Sequence, residues 1–295
     1  MGPRPKISII LAFLNPGEDF KLAIQSVFAQ TFTDWELILM DDGSTDGSLE
    51  YAQSIDDRRV RVVSDGTQRN LNYRLNQMID LARGEYIARM DADDVMHPER
   101  LAKQHAELQR HSNDTVVGTA AWSLDVANHV VGLRPMRNVQ RHGFAATASF
   151  MHPTVAASTE WFRRYRYSES FIFHRSQDAE LWFRSSPESR FVTIEEPLLF
   201  YREVGNFSFN KYVGTQLGLV VLADRLGSTD RLGGLRALTL ALAKLWITGV
   251  ASALGKNQMI VRRRYQPMTR ESIDVAEALL RRIQAVSIPV RVGSL

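Results

Sequence analysis

The chain contains no cysteine in 295 residues. Disulfide staples, thiol nucleophiles and cysteine-held zinc or iron–sulfur centres are therefore excluded, and a reducing, cytoplasmic setting is the default expectation. Charge of one sign is also scarce. Lys and Arg number 36 against 33 Asp and Glu, a net charge of +3, so the basic balance is too slim for dedicated nucleic-acid binding. No long apolar run opens the sequence. The stretch from Ile7 to Leu14 is too short and wrongly bounded for a secretion signal and reads as a buried strand. The longest apolar window, Ala237 to Leu254, is interrupted by Lys244 and carries Thr239, Thr248, Gly249 and Ser252, which falls short of a spanning helix. Internal repeats and low-complexity tracts are absent. What remains, 44% hydrophobic and 23% charged residues, is the balance of a packed globular chain with one large domain or two modest ones.

Short β-rich runs alternate with helical stretches over the first hundred residues. Strands are predicted at Ile7–Ala12, Trp35–Met40, Val60–Ser64 and Glu85–Met90, and helices near Phe20–Ala29, Gly47–Ser54 and Tyr73–Arg83. This order predicts an α/β architecture, a parallel sheet covered by helices, with chemistry at the carboxyl ends of its strands. Pro98 suits the first turn of a helix reaching about His111, and His97 reads as part of its start. Further strands are expected at Val116–Ala121, Val130–Leu133 and Phe191–Ile194, and helices at Ser158–Arg164 and Gln177–Ser185. The division expected is residues 1–210 as a catalytic unit and 211–295 as a helical extension ending in an amphipathic helix near Glu271–Val286.

Two acidic loops fall where such a sheet would place a site. Asp41-Asp42-Gly43-Ser44-Thr45-Asp46-Gly47 follows an apolar strand; a helix cap needs one of its acids, not three. Asp91-Ala92-Asp93-Asp94 follows another strand and crowds three carboxylates into four residues. Their mutual repulsion calls for a divalent, oxygen-seeking cation, Mg²⁺ or Mn²⁺, which would in turn hold a phosphate or diphosphate. Asp91-Xaa-Asp93 also fits a phosphatase in which the first Asp is a phosphorylated nucleophile. A non-enzymatic nucleotide-binding protein is the other alternative.

Together these residues resemble the family-two, inverting glycosyltransferases of the GT-A fold. The resemblance is carried by Ile7 to Asn15, Ser26 to Leu37, Asp41 to Asp46, Ala82 to Asp94, His97 to Leu101, His152-Pro153-Thr154, Gln177-Asp178 with Leu181-Trp182, and Tyr201-Arg202. It covers about residues 6–208. It implies a GT-A, Rossmann-like nucleotide-diphospho-sugar transferase fold and a metal-dependent hexosyltransferase. The donor implied is a nucleotide-diphosphate sugar, a UDP-sugar in the usual case. The acceptor implied is a glycan or lipid-linked hydroxyl in polysaccharide or glycoconjugate assembly. Residue by residue, Asp42 corresponds to the acid that accepts from the donor base, with Ala12 and Leu14 beside that base. Asp91 corresponds to the acid facing ribose and donor sugar, Asp93 to the ligand of Mn²⁺ or Mg²⁺, and Asp178 to the catalytic base. His152 becomes a candidate acceptor- or donor-side contact, grouped with the nucleotide-sugar-binding residues, whereas by composition it reads as a satisfied loop histidine.

Three positions depart from the family pattern. Gln177 stands where Glu is usual, Leu14 where Tyr often stacks on the base, and Val204 where His often follows Tyr-Arg. Glu180 is a fallback base. Trp182 reads as core before it reads as a sugar platform, and Arg69 and Arg74 read as surface residues. In the tail, the apolar face of Leu235–Leu254 with Lys256, Arg262, Arg263 and Arg264 leaves two occupants open: packing or a homodimer interface, or the inner face of an anionic membrane.

Overall fold

The computed structural model describes residues 4–138, 140, 142–204, 208–227, 230–256, 262 and 264–291. Four strands come first: β1 (Ile7–Phe13), β2 (Trp35–Asp41), β3 (Val60–Val63) and β4 (Tyr86–Asp91). They pair in parallel in the order β3-β2-β1-β4, joined through helices α1 (Asp19–Phe28), α2 (Ser48–Ser54) and α3 (Leu71–Leu81). β1 and β2 are buried almost throughout, which is why they read as continuous apolar runs and not as alternating ones. The register aligns Phe13 with Asp41 and Ala12 with Asp91, so both acidic loops leave the sheet at the same edge, on either side of β1.

Beyond β4 the sheet turns mixed. A two-residue β5 (Val95–Met96), helix α4 (Arg100–Leu108), the long β6 (Thr115–Asp125) and β7 (Val130–Arg134) precede β8 (Ala156–Ser158), which runs antiparallel to β4. Helices α5 (Thr159–Arg164) and α6 (Gln177–Ser185) follow, then β9 (Arg190–Val204), parallel to β6 and antiparallel to β5. The full order is β3-β2-β1-β4-β8-β6-β9-β5, with β7 on β6. The strand expected at Phe191–Ile194 is thus the first part of a 15-residue strand.

Helices α7 (Phe209–Gly227) and α8 (Arg231–Ala253) form a hairpin. A Cβ on Gly234 would lie 2.4 Å from Gly227 Cα, so the two backbones cross in near contact. The last helix, α9 (Arg270–Gln284), returns to the sheet. Its Ala276, Leu280 and Ile283 pack with Leu22, Val95, Leu124 and Phe200, and Gln25 Nε2 donates to the carbonyls of Gln284 (2.8 Å) and Val286 (3.0 Å). Among the described residues α8 is the one helix long and apolar enough, by length and composition, to cross a membrane; only 22% of its apolar window is buried.

Candidate active site

The loop after β2 is built by its own acids. Asp41 is consumed as scaffold, its Oδ1 accepting from Ser44 N (2.8 Å) and its Oδ2 from Ser64 Oγ (2.8 Å). Gly43 turns the chain at φ +90°, where a side chain would crowd the backbone of Thr67 and Gln68. Asp46 accepts from Gly17 N (3.0 Å) and Asn15 Oδ1 from Thr45 N (2.7 Å), which ties the loop after β1 to the loop after β2.

Asp42 has a different task. Its Oδ1 accepts from Arg69 N (2.8 Å) and Arg74 Nε (2.8 Å), and it borders a cleft of about 310 Å³ with Ala12, Leu14, Arg69, Arg74 and His174. Arg74 overturns the surface expectation: its side chain is 1% exposed and holds Asp42, Asp65 and the Thr67 carbonyl at once. A cation one turn into a helix opposes the helix dipole, and that was the available signal that an anionic partner compensates it. Arg69 is exposed as expected, yet its backbone supports Asp42. Ala12 and Leu14 line the same cleft, with Leu14 40% exposed.

Across β1, Asp91, Asp93 and Asp94 bring one carboxylate oxygen each within 4.8 Å of one another. Asp91 is paired with Arg89, a guanidinium buried in β4 whose Nε and Nη1 have no hydrogen-bond partner. Burial and the neighbouring Asp91 charge push the Asp93 carboxyl up to about 6. Asp94 is fully buried; it accepts from Arg202 N (2.9 Å) through Oδ1, while its Oδ2 is unpartnered, and burial raises its carboxyl well above the ordinary range. Asp94 lay inside the acidic run but was not singled out from sequence. Arg202 fixes the loop by donating to the Asp93 carbonyl (2.9 Å) and pairing with Asp19 (2.8 Å). Crowded, all-oxygen and only partly offset by Arg89 and Arg202, the cluster fits a hard divalent ion, which would relieve the burial and repulsion that raise Asp93 and Asp94.

Asp178 lies in the first turn of α6, within electrostatic reach of Arg89 and Asp91. Burial raises its carboxyl, and its Oδ1 accepts only its local Ala179 N (2.8 Å). Glu180, the fallback base, is instead buried and clamped by Arg184 at 2.8 and 3.0 Å. The Oε1 of Gln177 is buried without a partner. His152 does not reach into the cleft: it is buried with its Nε2 2.7 Å from Tyr167 Oη, edge-on to Trp182, and burial lowers its pKa so that it is neutral. His152 thus lies beside Tyr167 and outside the residues that line the Asp42 cleft. Trp182 is fully buried core. His97 Nδ1 accepts from Glu99 N (3.1 Å) at the start of α4. Val204 closes β9 opposite Asp125.

A model of the family described as Glycosyl transferase family 2 matches residues 8–181. The Bacillus subtilis protein EpsE, assigned as a glycosyltransferase, is 35% identical over 210 residues, covering 69% of this chain and 75% of its own. Among solved structures, S. aureus TarS 1–349 in complex with UDP-GlcNAc superposes with a TM-score of 0.60 at 16% identity, covering 80% of this chain and 71% of that one. The mannosyltransferase PcManGT from Pyrobaculum calidifontis, in complex with GDP-Man and Mn²⁺, gives 0.58 at 14% identity over 96% and 86%. At these identities the structures speak for the fold alone.

Proposed function

The chain belongs to glycosyl transferase family 2 and has the GT-A arrangement of that family, and from this premise we propose that it is a metal-dependent, inverting transferase acting on a UDP-sugar. The observation that carries the reading is the pairing of two acidic loops on one sheet edge: Asp42 beside a nucleoside-sized cleft, and the Asp91–Asp93–Asp94 cluster on the other side of β1. Asp42, held rigid by Arg74, presents its carboxylate to the base between Ala12 and Leu14. Asp91 faces the ribose and sugar. Asp93, with the unpartnered Oδ2 of Asp94, would hold Mn²⁺ or Mg²⁺, which when bound supplies the positive charge that a departing diphosphate requires. Asp178 accepts the proton of the acceptor hydroxyl as that oxygen attacks the anomeric carbon from the face opposite the diphosphate. Its raised pKa makes it a stronger base than an ordinary aspartate. His152 and Tyr167 brace the floor. The phosphatase alternative is not favoured, since the family match runs through Asp91 with the strands on both sides of it.

The test is hydrolysis of UDP- and GDP-sugars in the presence of Mn²⁺ with water as acceptor, the anomer of the released sugar being followed by NMR. A UDP-sugar is expected to be consumed with inversion, and Asp178→Asn to lower turnover by about a hundredfold or more while leaving UDP binding intact. Retention of configuration, or loss in Glu180→Gln with an active Asp178→Asn, contradicts the assignment.

A further inference from the structure

The α7–α8 hairpin buries the wrong amount of itself for a core element. α8 meets α7 through a narrow stripe of small residues, Gly234, Ala237, Ala241 and Thr248. The large side chains lie elsewhere: Leu235, Leu242, Ile247, Val250 and Leu254 are all exposed, and Trp246 is 71% exposed. With 3.6 residues per turn these fall on one broad face opposite the α7 contact, where Arg236 is the sole charge and Arg231 and Lys244 sit at its two edges. An apolar surface of this extent marks an interaction site.

Charge decides what covers it. The forty residues from Arg231 to Arg270 include eight Lys or Arg and no Asp or Glu, in a chain whose overall balance is only +3. Four of the eight, Arg231, Arg236, Lys244 and Lys256, lie on α8 or just after it, whereas Arg264 and Arg270 further on are paired with Glu203 and Asp274; a second copy of the same face would set the α8 cations against themselves. An anionic bilayer would neutralise them while taking the leucines and the tryptophan into the boundary of its acyl region, with the flanking cations reaching up to the headgroups. A spanning orientation is disfavoured, because it would draw Arg236 and Lys244 through the hydrocarbon.

We propose that the outer face of α8 docks flat on an anionic lipid surface. α7, which carries α8, packs directly on α6 and on the turn at Phe171–Phe173, so docking holds the Asp178 side of the cleft near the bilayer. The inference rests on the hairpin and is independent of the donor assignment.

The experiment is co-sedimentation of the full chain with vesicles of phosphatidylcholine, with and without phosphatidylglycerol, alongside tryptophan emission. Of the other four tryptophans, Trp35, Trp161 and Trp182 are buried and the partly buried Trp122 is stacked on Phe200 in the sheet, so the change lost in Trp246→Phe is the one that reports on α8. The expected result is binding to anionic vesicles alone, weakened by salt, with a blue shift that Trp246→Phe abolishes without abolishing sedimentation. Arg236→Ala, Lys244→Ala and Lys256→Ala are each expected to weaken binding about fivefold, the factor that ~1 kcal/mol per basic residue represents. These side chains are exposed, and an unchanged circular dichroism spectrum and melting temperature show that the variants fold. Three results overturn the proposal: a protein left in the supernatant with anionic vesicles at low salt, a lipid-free dimer dissociated by Trp246→Glu, or vesicle binding that high salt does not weaken.

Discussion

At the residue scale the charged side chains of the candidate site fall into two groups. Asp41, Asp46, Arg74 and Arg202 have their polar atoms spent on neighbours, and their work is to fix the two loops. Asp93, Asp94 and Asp178 are the opposite, carboxyls that burial raises and that neighbouring cations only partly relieve. For Asp178 the sign of the pH effect separates a catalytic role from a structural one. A base must be ionised, so turnover should fall as pH drops through a value above the ordinary aspartate range. The same raised pKa means that ionised Asp178 costs the fold stability: its favourable contribution is present below the unfolded value and is lost as pH rises through the folded one. Asp178→Asn is therefore expected to be no less stable than wild type at neutral pH, and its residual donor hydrolysis to lose that acid limb. Melting temperatures at pH 7 and a pH–rate profile check both halves; a destabilised variant with an unchanged profile contradicts them.

At the scale of elements, the α7–α8 crossing depends on glycine for space and not for conformation. A Cβ at Gly234 meets the backbone of Gly227 and the Ala223 carbonyl, neither of which can swing away as a side-chain tip would. Gly234→Val is expected to prise the hairpin apart at a cost of about 1–3 kcal/mol, read as faster hydrogen exchange in α7 and α8 with UDP binding unchanged. Equal protection in wild type and variant would contradict the packing. The parallel half of the sheet was legible in the sequence because its strands are apolar runs closed by acidic or glycine-bearing turns. The other half was not. β8 is Ala-Ala-Ser and β5 two residues long, too small and too neutral in propensity to announce strands. β9 shifts register against β6 around Pro197, which hid its continuation to Val204 behind an apparent end at Ile194. Asp42, Asp91 and Asp93 stand out in the sequence because acids at strand ends have few structural uses, whereas Asp178, in the first turn of α6, stands out through the family resemblance alone. The burial of Arg74 and His152 depends on partners outside their own elements, Asp42 and Tyr167; the one local sign for Arg74 is a cation opposing the helix dipole, and for His152 there is none.

At the scale of the whole molecule, α9 closes on α1 and β9 while the hairpin stands off with its apolar face outward, so the C-terminal third both completes the core and offers a surface. Everything proposed for the reaction depends on one claim, that the sheet edge shared by Asp42 and the Asp91–Asp93–Asp94 cluster binds a nucleoside diphosphate through a divalent ion. Calorimetric titration of UDP into the protein, with and without Mn²⁺, tests it most directly. The account predicts that Mn²⁺ tightens UDP binding by about tenfold or more in wild type and in Asp178→Asn, and that Asp93→Asn removes the difference. UDP binding that is equal with and without Mn²⁺ in all three proteins, or that Asp93→Asn leaves as metal-dependent as before, would contradict it.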